Sequence, residues 1–290
     1  MKLSDVVDLF ILAALWGGSF LFMRIAAPVI GPVWLIGLRV TIAGLTLLPL
    51  VMRQDLLGEL RRHAKTLFIV GVLNSAIPFM LFAYAAVSLP AGFTAILNAT
   101  APLFGIVVAT IWIKEKLTFG RTLGFILGFI GVVLLIGWQP FEATTQFYLA
   151  VGAGLFAALL YAFMAPYISQ SLKGVPSLAV AAGTQLSAAL FIAPALPFTM
   201  PDATWTLPVI GSVLGLAIFS TAFAYILYFR LIQNVGSSKA LTVTYLIPVS
   251  AMIFGAIFLG EPITTAMIIG CGLVLVGTAV ANDLIGNLRR

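Results

Sequence analysis

Chemically reactive side chains are scarce in this chain. It has one cysteine, Cys271, and one histidine, His63. A single thiol can neither close a disulfide within the chain nor assemble a thiolate metal site. Cys271 lies inside an apolar run that suits a small buried side chain, and His63 stands between Arg62 and Lys65 in a basic connection. No HExxH, CxxC, glycine-rich phosphate loop or aspartate pair within an apolar run occurs. These absences exclude the usual machinery of an intramembrane enzyme, so no catalytic residue, metal site or cofactor is expected. Charge is scarce too, at 8% of residues. The acidic side chains Asp5, Asp8, Asp55, Glu59, Glu115, Glu142, Asp202, Glu261 and Asp283 all fall at the ends of apolar runs or between them. None occupies the middle of a run, where ion-coupled carriers commonly hold a carboxylate.

Apolar residues make up what is left: 62% of the chain is hydrophobic, with a mean hydropathy of +1.16, which no soluble domain matches. Runs of roughly 20 residues suffice to cross a hydrocarbon core as helix. Ten can be drawn, at 6–26, 33–52, 67–87, 92–113, 119–138, 147–168, 177–198, 207–229, 239–259 and 263–284. Their continuity excludes a β-barrel, whose strands alternate polar and apolar residues. The first run is too long for a signal-peptide core and precedes no small-residue cleavage site, so it is read as a retained helix. The expected fold class is an all-α integral membrane protein with ten transmembrane helices.

The net charge of +6 is a topology signal. Lys2, the 53–65 connection, Lys114 to Arg121, Lys173, Arg230 to Lys239, and Arg289 with Arg290 put Lys and Arg in every second connection. The intervening ones, near 27–32, 88–91, 139–146, 199–206 and 260–262, hold none. The positive-inside rule then places both termini in the cytoplasm, and nucleic acid drops out as a partner. The partners expected are the lipid bilayer and a small-molecule substrate.

The chain also repeats itself. At a constant offset of 146 residues, Pro102 matches Pro248, Glu115 matches Glu261, Thr118 matches Thr264, Gly124 matches Gly270 and Gly131 matches Gly277. The expected division is two five-helix repeats, 1–140 and 145–290. An odd number of helices per repeat sets the second upside down relative to the first, and inverted repeats are characteristic of secondary transporters.

The "ALWGGSFLFMRIA" of the first run, the "RVTIAG" of the second and the doubled Pro…Glu…Gly pattern resemble the drug/metabolite transporter superfamily. Within it, the chain resembles the ten-helix EamA-type exporters over essentially its whole length, with the aromatic amino acid exporters as the nearest subgroup. The resemblance implies a bacterial inner-membrane exporter of amino acids or related metabolites, with helices 1–4 and 6–9 around a central cavity. Alternating access of that cavity, driven by the substrate gradient, is the expected mechanism. A sugar or drug carrier of the same fold, or a channel-like pore, is the alternative.

Candidate site residues follow from chemistry at depth. A proline removes the donor for the carbonyl four residues earlier. Pro102 and Pro248 therefore free the carbonyls of Asn98 and Thr244, which with the Asn98 amide and the Thr244 hydroxyl are read either as a substrate site for an ammonium or amide group or as kinks that neighbouring helices satisfy, and Pro78 makes a similar break. Gly17 and Gly18 are candidate hinges. Arg39 sits too deep to face lipid, and its repeat equivalent is Gln185; both are read either as structural ties or as substrate contacts. Trp16, Phe79, Tyr84, Tyr161, Phe163 and Tyr245 are candidate pocket aromatics. Glu115 and Glu261 are read as structural corners, each meeting the positive end of the helix that follows it, with Thr118 and Thr264 as N-caps. Arg24 is expected to snorkel to the headgroups. Gly120, Gly124 and Gly128 in the fifth run, with Gly270 and Gly277 in the tenth, form small-residue ridges. They are expected to pack within a monomer, with a homodimer contact as the alternative.

Overall fold

The computed structural model describes residues 2–112, 114, 117–138 and 144–281. Eight of its helices are long and apolar enough to cross a membrane. They are α1 (Leu3–Ile30), α2 (Pro32–Arg53), α3 (Ala64–Ser88), α4 (Ala91–Ile111), α5 (Phe119–Gly137), α6 (Thr145–Ser171), α7 (Ser177–Phe198) and α8 (Leu207–Val235). Two shorter apolar helices, α9 (Val243–Leu259) and α10 (Thr265–Ala281), complete the set. Among the described residues the chain is all-helical, as the apolar runs require.

Chain punctuation has local causes. Gly31, at φ 76°, turns α1 into α2, and Pro32 opens α2 at a position where its missing N–H costs nothing. Thr118 accepts the Arg121 N–H at the start of α5, and Thr264 accepts the Met267 N–H at the start of α10. Both therefore act as N-caps.

Most helix neighbours pair off by the repeat. α1 lies on α9 as α6 lies on α4; α3 lies on α6 as α8 lies on α1; and α3 meets α7 as α8 meets α2. The contacts of α2 with α7, α4 with α9 and α5 with α10 map onto themselves when each helix number is advanced by five, whereas the packing of α1 on α3 has no comparable counterpart of α6 on α8. Winding repeats as well. Gly71–Ala76 in α3 and Gly215–Phe223 in α8 are both wound as π-helix. Pro78 follows the first of these, and Ala224 occupies the matching position after the second, so proline alone does not cause the wide turn.

Proline acts differently in the other matched pair. α4 breaks at Ala99 and Thr100, with Pro102 second in the segment Ala101–Ile111, whereas α9 runs unbroken through Pro248. α1 also passes Gly17 and Gly18 without a break. Gly17 admits α9: a Cβ there would lie 3.0 Å from both the Ala251 nitrogen and the Ile247 carbonyl oxygen.

α5 and α10 close on each other through their glycines. A Cβ at Gly131 would fall 2.8 Å from the Gly270 carbonyl oxygen, and one at Gly270 would fall 2.9 Å from that of Gly131. The small-residue ridges are thus used within the chain. Since lipid is as apolar as a leucine side chain, close backbone packing holds such a pair together. Gly131→Leu should cost about 1–3 kcal/mol through overpacking, read as a lower melting temperature of the detergent-purified protein. Gly272→Leu, at a position with nothing within 4 Å, should leave the melting temperature unchanged.

Candidate functional site: a central cavity open at one end

A cavity of about 750 Å³ runs through the middle of the helix bundle. Its wall draws on α1–α4 and α6–α9, and at one end it reaches Ala109 of α4, Arg121 of α5, Leu241 and Ala281. That is the end carrying the basic connections. At the opposite end Ala26, Ala27, Ala86, Leu89 and Ala91 are fully buried and the bundle is shut.

The wall is paired by the repeat. Phe79 and Tyr225, Phe82 and Tyr228, Asn74 and Ser220, and Asn98 and Thr244 all line it, each pair separated by the offset of 146 residues. The rings fall into two contacting groups. Trp16 lies 5.1 Å from Tyr228, Phe82 lies 5.9 Å from Tyr161, and Phe20 lies 5.9 Å edge-on to Phe82.

Arg39 is the buried charge of this wall. Its Nε donates to Thr221 Oγ1 at 2.9 Å, and Thr221 in turn donates to the Leu216 carbonyl, one turn of the π-helix earlier. Its guanidinium carbon stands 3.7 Å from the centroid of the Phe79 ring, a cation–π geometry. Nη1 and Nη2 bond no described residue. Across the repeat, Gln185 Nε2 donates to Ser75 Oγ at 3.2 Å. Ser75 corresponds to Thr221 just as Gln185 corresponds to Arg39, so one crossing is built twice, charged in one repeat and neutral in the other. Gln185 Oε1 and Ser220 Oγ, both buried, lack partners among the described residues.

Of the residues singled out by sequence, Trp16, Arg39, Phe79, Asn98, Pro102, Tyr161 and Thr244 come together in this wall. Tyr84, Gln185, Tyr245, Pro78, Pro248, Gly17 and Gly18 do not form part of it. Phe163 points away and packs on Trp112 at 6.1 Å. Sequence reading passed over Phe82, Tyr225, Tyr228, Ser220 and Thr221. The signal was available: the offset carries Phe79 to Tyr225 and Asn74 to Ser220.

The closed end corrects two expectations. Arg24 does not snorkel. Its Nη1 donates to the carbonyls of Ala86 and Val87 at 3.0 and 2.7 Å, and its Nε pairs with Glu261 at 3.1 Å. Glu261 does not serve the helix that follows it. Its Oε2 accepts the Ala91 N–H at 2.9 Å, on the first residue of α4 in the other repeat. The cause is the turn at Gly260, whose φ of 65° sends the Glu261 N–H back to the Gly255 carbonyl. Gly255 has no side chain to block the carboxylate. Glu115, the matching corner, lies outside the described residues.

An apolar bundle of ten membrane helices around a partly polar central cavity suits a multi-pass membrane transporter, and comparison with known proteins agrees. The sequence profile of the EamA-like transporter family matches the chain twice, over residues 6–137 and 148–282. The chain belongs to that family. It is 26% identical over 265 residues to an uncharacterized transporter of Archaeoglobus fulgidus, covering 90% of this chain and 92% of that one. It is 22% identical over 288 residues to a probable terminal-alkyne amino-acid exporter of Streptantibioticus cattleyicolor, covering 97% and 95%. The uncharacterized inner membrane transporter YedA of Escherichia coli is 26% identical over 274 residues, covering 92% and 87%. A solved crystal structure at 20% identity superposes over 100% of both chains with a TM-score of 0.69, which establishes the shared fold.

Glu261→Ala should remove a charge-assisted bond and leave the Ala91 N–H without its acceptor, a loss of about 1–3 kcal/mol. A fall of several degrees in melting temperature checks this. Glu261→Gln keeps an acceptor for Ala91 and should fall less.

Proposed function

We propose that this protein is a secondary transporter that exports amino acids or related small metabolites by alternating access. The single observation that carries this reading is the cavity, lined at repeat-related positions, open at one end and shut at the other. Two similar halves that pack in two ways would open such a site alternately to the two sides of the membrane. Repeats 1–140 and 145–290 rock about the level of Pro102 and Pro248. With both termini in the cytoplasm of a bacterial cell and the chain in its inner membrane, the state described here faces inward.

Aromatic walls suit substrates with a flat or apolar portion, and the size fits a single amino acid or similar molecule. The relative named as an amino-acid exporter adds weight to that class. Because no Asp or Glu lines the wall among the described residues, no carboxylate is available there to bind a coupling proton. Export then follows the substrate's own gradient. The protein acts as a monomer, since one chain supplies both repeats.

Proteoliposomes without an imposed ion gradient should show saturable counterflow of phenylalanine or threonine, weakened by Trp16→Ala and by Asn98→Ala. Removing a wall ring or a wall amide should reduce the exchange about tenfold each. Flux that needs a proton gradient contradicts uncoupled export. Counterflow of a neutral sugar alone keeps the carrier and discards the substrate class, and unsaturable conductance marks a pore.

A further inference from the structure

We propose that Arg39 and Ser220 form a carboxylate subsite, and that the substrate it selects is a monoanion: a carboxylate on a flat apolar body, with no ammonium group required. This inference rests on the carrier reading above and narrows its substrate.

The argument begins with what the fold needs. The crossing of α2 with α8 is tied by Arg39 and Thr221, while the equivalent crossing of α7 with α3 is tied by Gln185 and Ser75. A neutral amide therefore suffices to hold this junction. The positive charge on Arg39 is surplus to structure, and it is expensive, because an unpaired ion within a membrane costs several kcal/mol unless something neutralises it. Among the described residues no carboxylate pairs with it; the ion pairs are Arg24 with Glu261, Glu59 with His63, and Asp8 with Arg230.

The guanidinium is also held ready. Thr221 fixes Nε and the Phe79 ring supports one face, which leaves the two η nitrogens of this cavity-lining residue as a held fork with no partner among the described residues. That fork matches the two oxygens of a carboxylate. Ser220 stands one residue before Thr221 in the same π-wound segment, 1% exposed, in the cavity wall and without a hydrogen-bond partner. Its hydroxyl is a second donor for the same anion.

The rest of the wall decides between an anion and a zwitterion. It contains Arg39 and Arg121 and, among the described residues, no Asp or Glu. A bound monoanion neutralises Arg39. A zwitterion does the same but brings an ammonium into a wall where, among the described residues, no negative side chain pairs with it. Phe79, Phe82, Tyr225 and Tyr228 then take the apolar body. The class expected is an aryl or alkyl monocarboxylate, such as an amino acid that has lost its amino group.

Three ligands with the same phenyl ring separate these alternatives: 3-phenylpropionate, phenylalanine and phenethylamine. Equilibrium binding to the purified protein should rank them in that order, with 3-phenylpropionate at least about tenfold tighter than phenylalanine, as expected for one uncompensated charged group. Arg39→Gln copies the neutral repeat partner and should fold. It should weaken 3-phenylpropionate by about 10- to 100-fold and erase the ranking. Ser220→Ala, a smaller change, should weaken it by about threefold or more and reads the subsite independently of Arg39. Phenylalanine binding as tightly as 3-phenylpropionate overturns the monoanion class. Binding of 3-phenylpropionate unchanged by both substitutions, or no binding at all, overturns the subsite. Counterflow measured beside it separates the two readings: saturable exchange of another solute without 3-phenylpropionate binding sinks the subsite and leaves the carrier intact, whereas 3-phenylpropionate binding without exchange of any solute does the reverse.

Discussion

Hydrocarbon offers a backbone no hydrogen bonds, so each departure from regular helix inside the membrane must be sheltered by protein or border a wet cavity. That constraint organises this molecule. Three of its departures, the π-wound segments of α3 and α8 and the break in α4, contribute to the cavity wall, through Asn74, Ser220 and Asn98 respectively, while the 3-10 end of α7 at Ala193–Phe198 is met by protein, with the Leu196 carbonyl accepting from Trp34. The wide turn of α8 shows how the shelter works. Thr221 returns a hydrogen bond to the Leu216 carbonyl and at the same time accepts one from Arg39. A single hydroxyl thus repairs the helix and anchors the wall's buried charge.

The two ends of the bundle hold by different physics. At the closed end, Arg24 and Glu261 join α1, the last turn of α3, the first turn of α4 and the connection between α9 and α10. A carboxylate on a helix N-terminus and a guanidinium on a helix's last carbonyls each favour the local dipole. At the basic end, Asp5 accepts from Asn234 at 3.0 Å, and Asp8 pairs with Arg230 at 3.4 Å without hydrogen-bond geometry. These tie α1 to α8 alone, so α4 and α6 are left to border the opening. Opening the closed end would have to release contacts shared by both repeats.

Much of the fold was legible because the bilayer imposes a length, and ten runs of that length stand out against short polar connections. Their limits were less so. The first apolar run covers 6–26 whereas α1 spans Leu3–Ile30, and at its start Asp5 finds in Asn234 a partner that a hydropathy pattern cannot foresee. The π-winding has no residue signature, as Pro78 and Ala224 after equivalent segments show. Depth alone brought Arg39 into consideration, and the offset alone would have brought Tyr225 and Tyr228. Arg24 was misread because its partner Glu261 is 237 positions away, and nothing near Arg24 announces it. Proline misled in part: Pro102 and Pro248 are matched in sequence, yet one follows a broken helix and the other sits in a continuous one.

The most direct test asks from which side the cavity can be entered. With Cys271 replaced by alanine, a single cysteine at Ser19 in the cavity wall can be reacted with a membrane-impermeant thiol reagent in vesicles of known orientation. Ser19→Cys should react at least about tenfold faster from the face carrying the termini, the ratio expected when the opposite opening is a minor state. A cysteine at Ala27, buried at the closed end, should react slowly from either face. Equal rates at Ser19→Cys from both faces would show a continuous pore, and protection from both would show that no such cavity is reached from water.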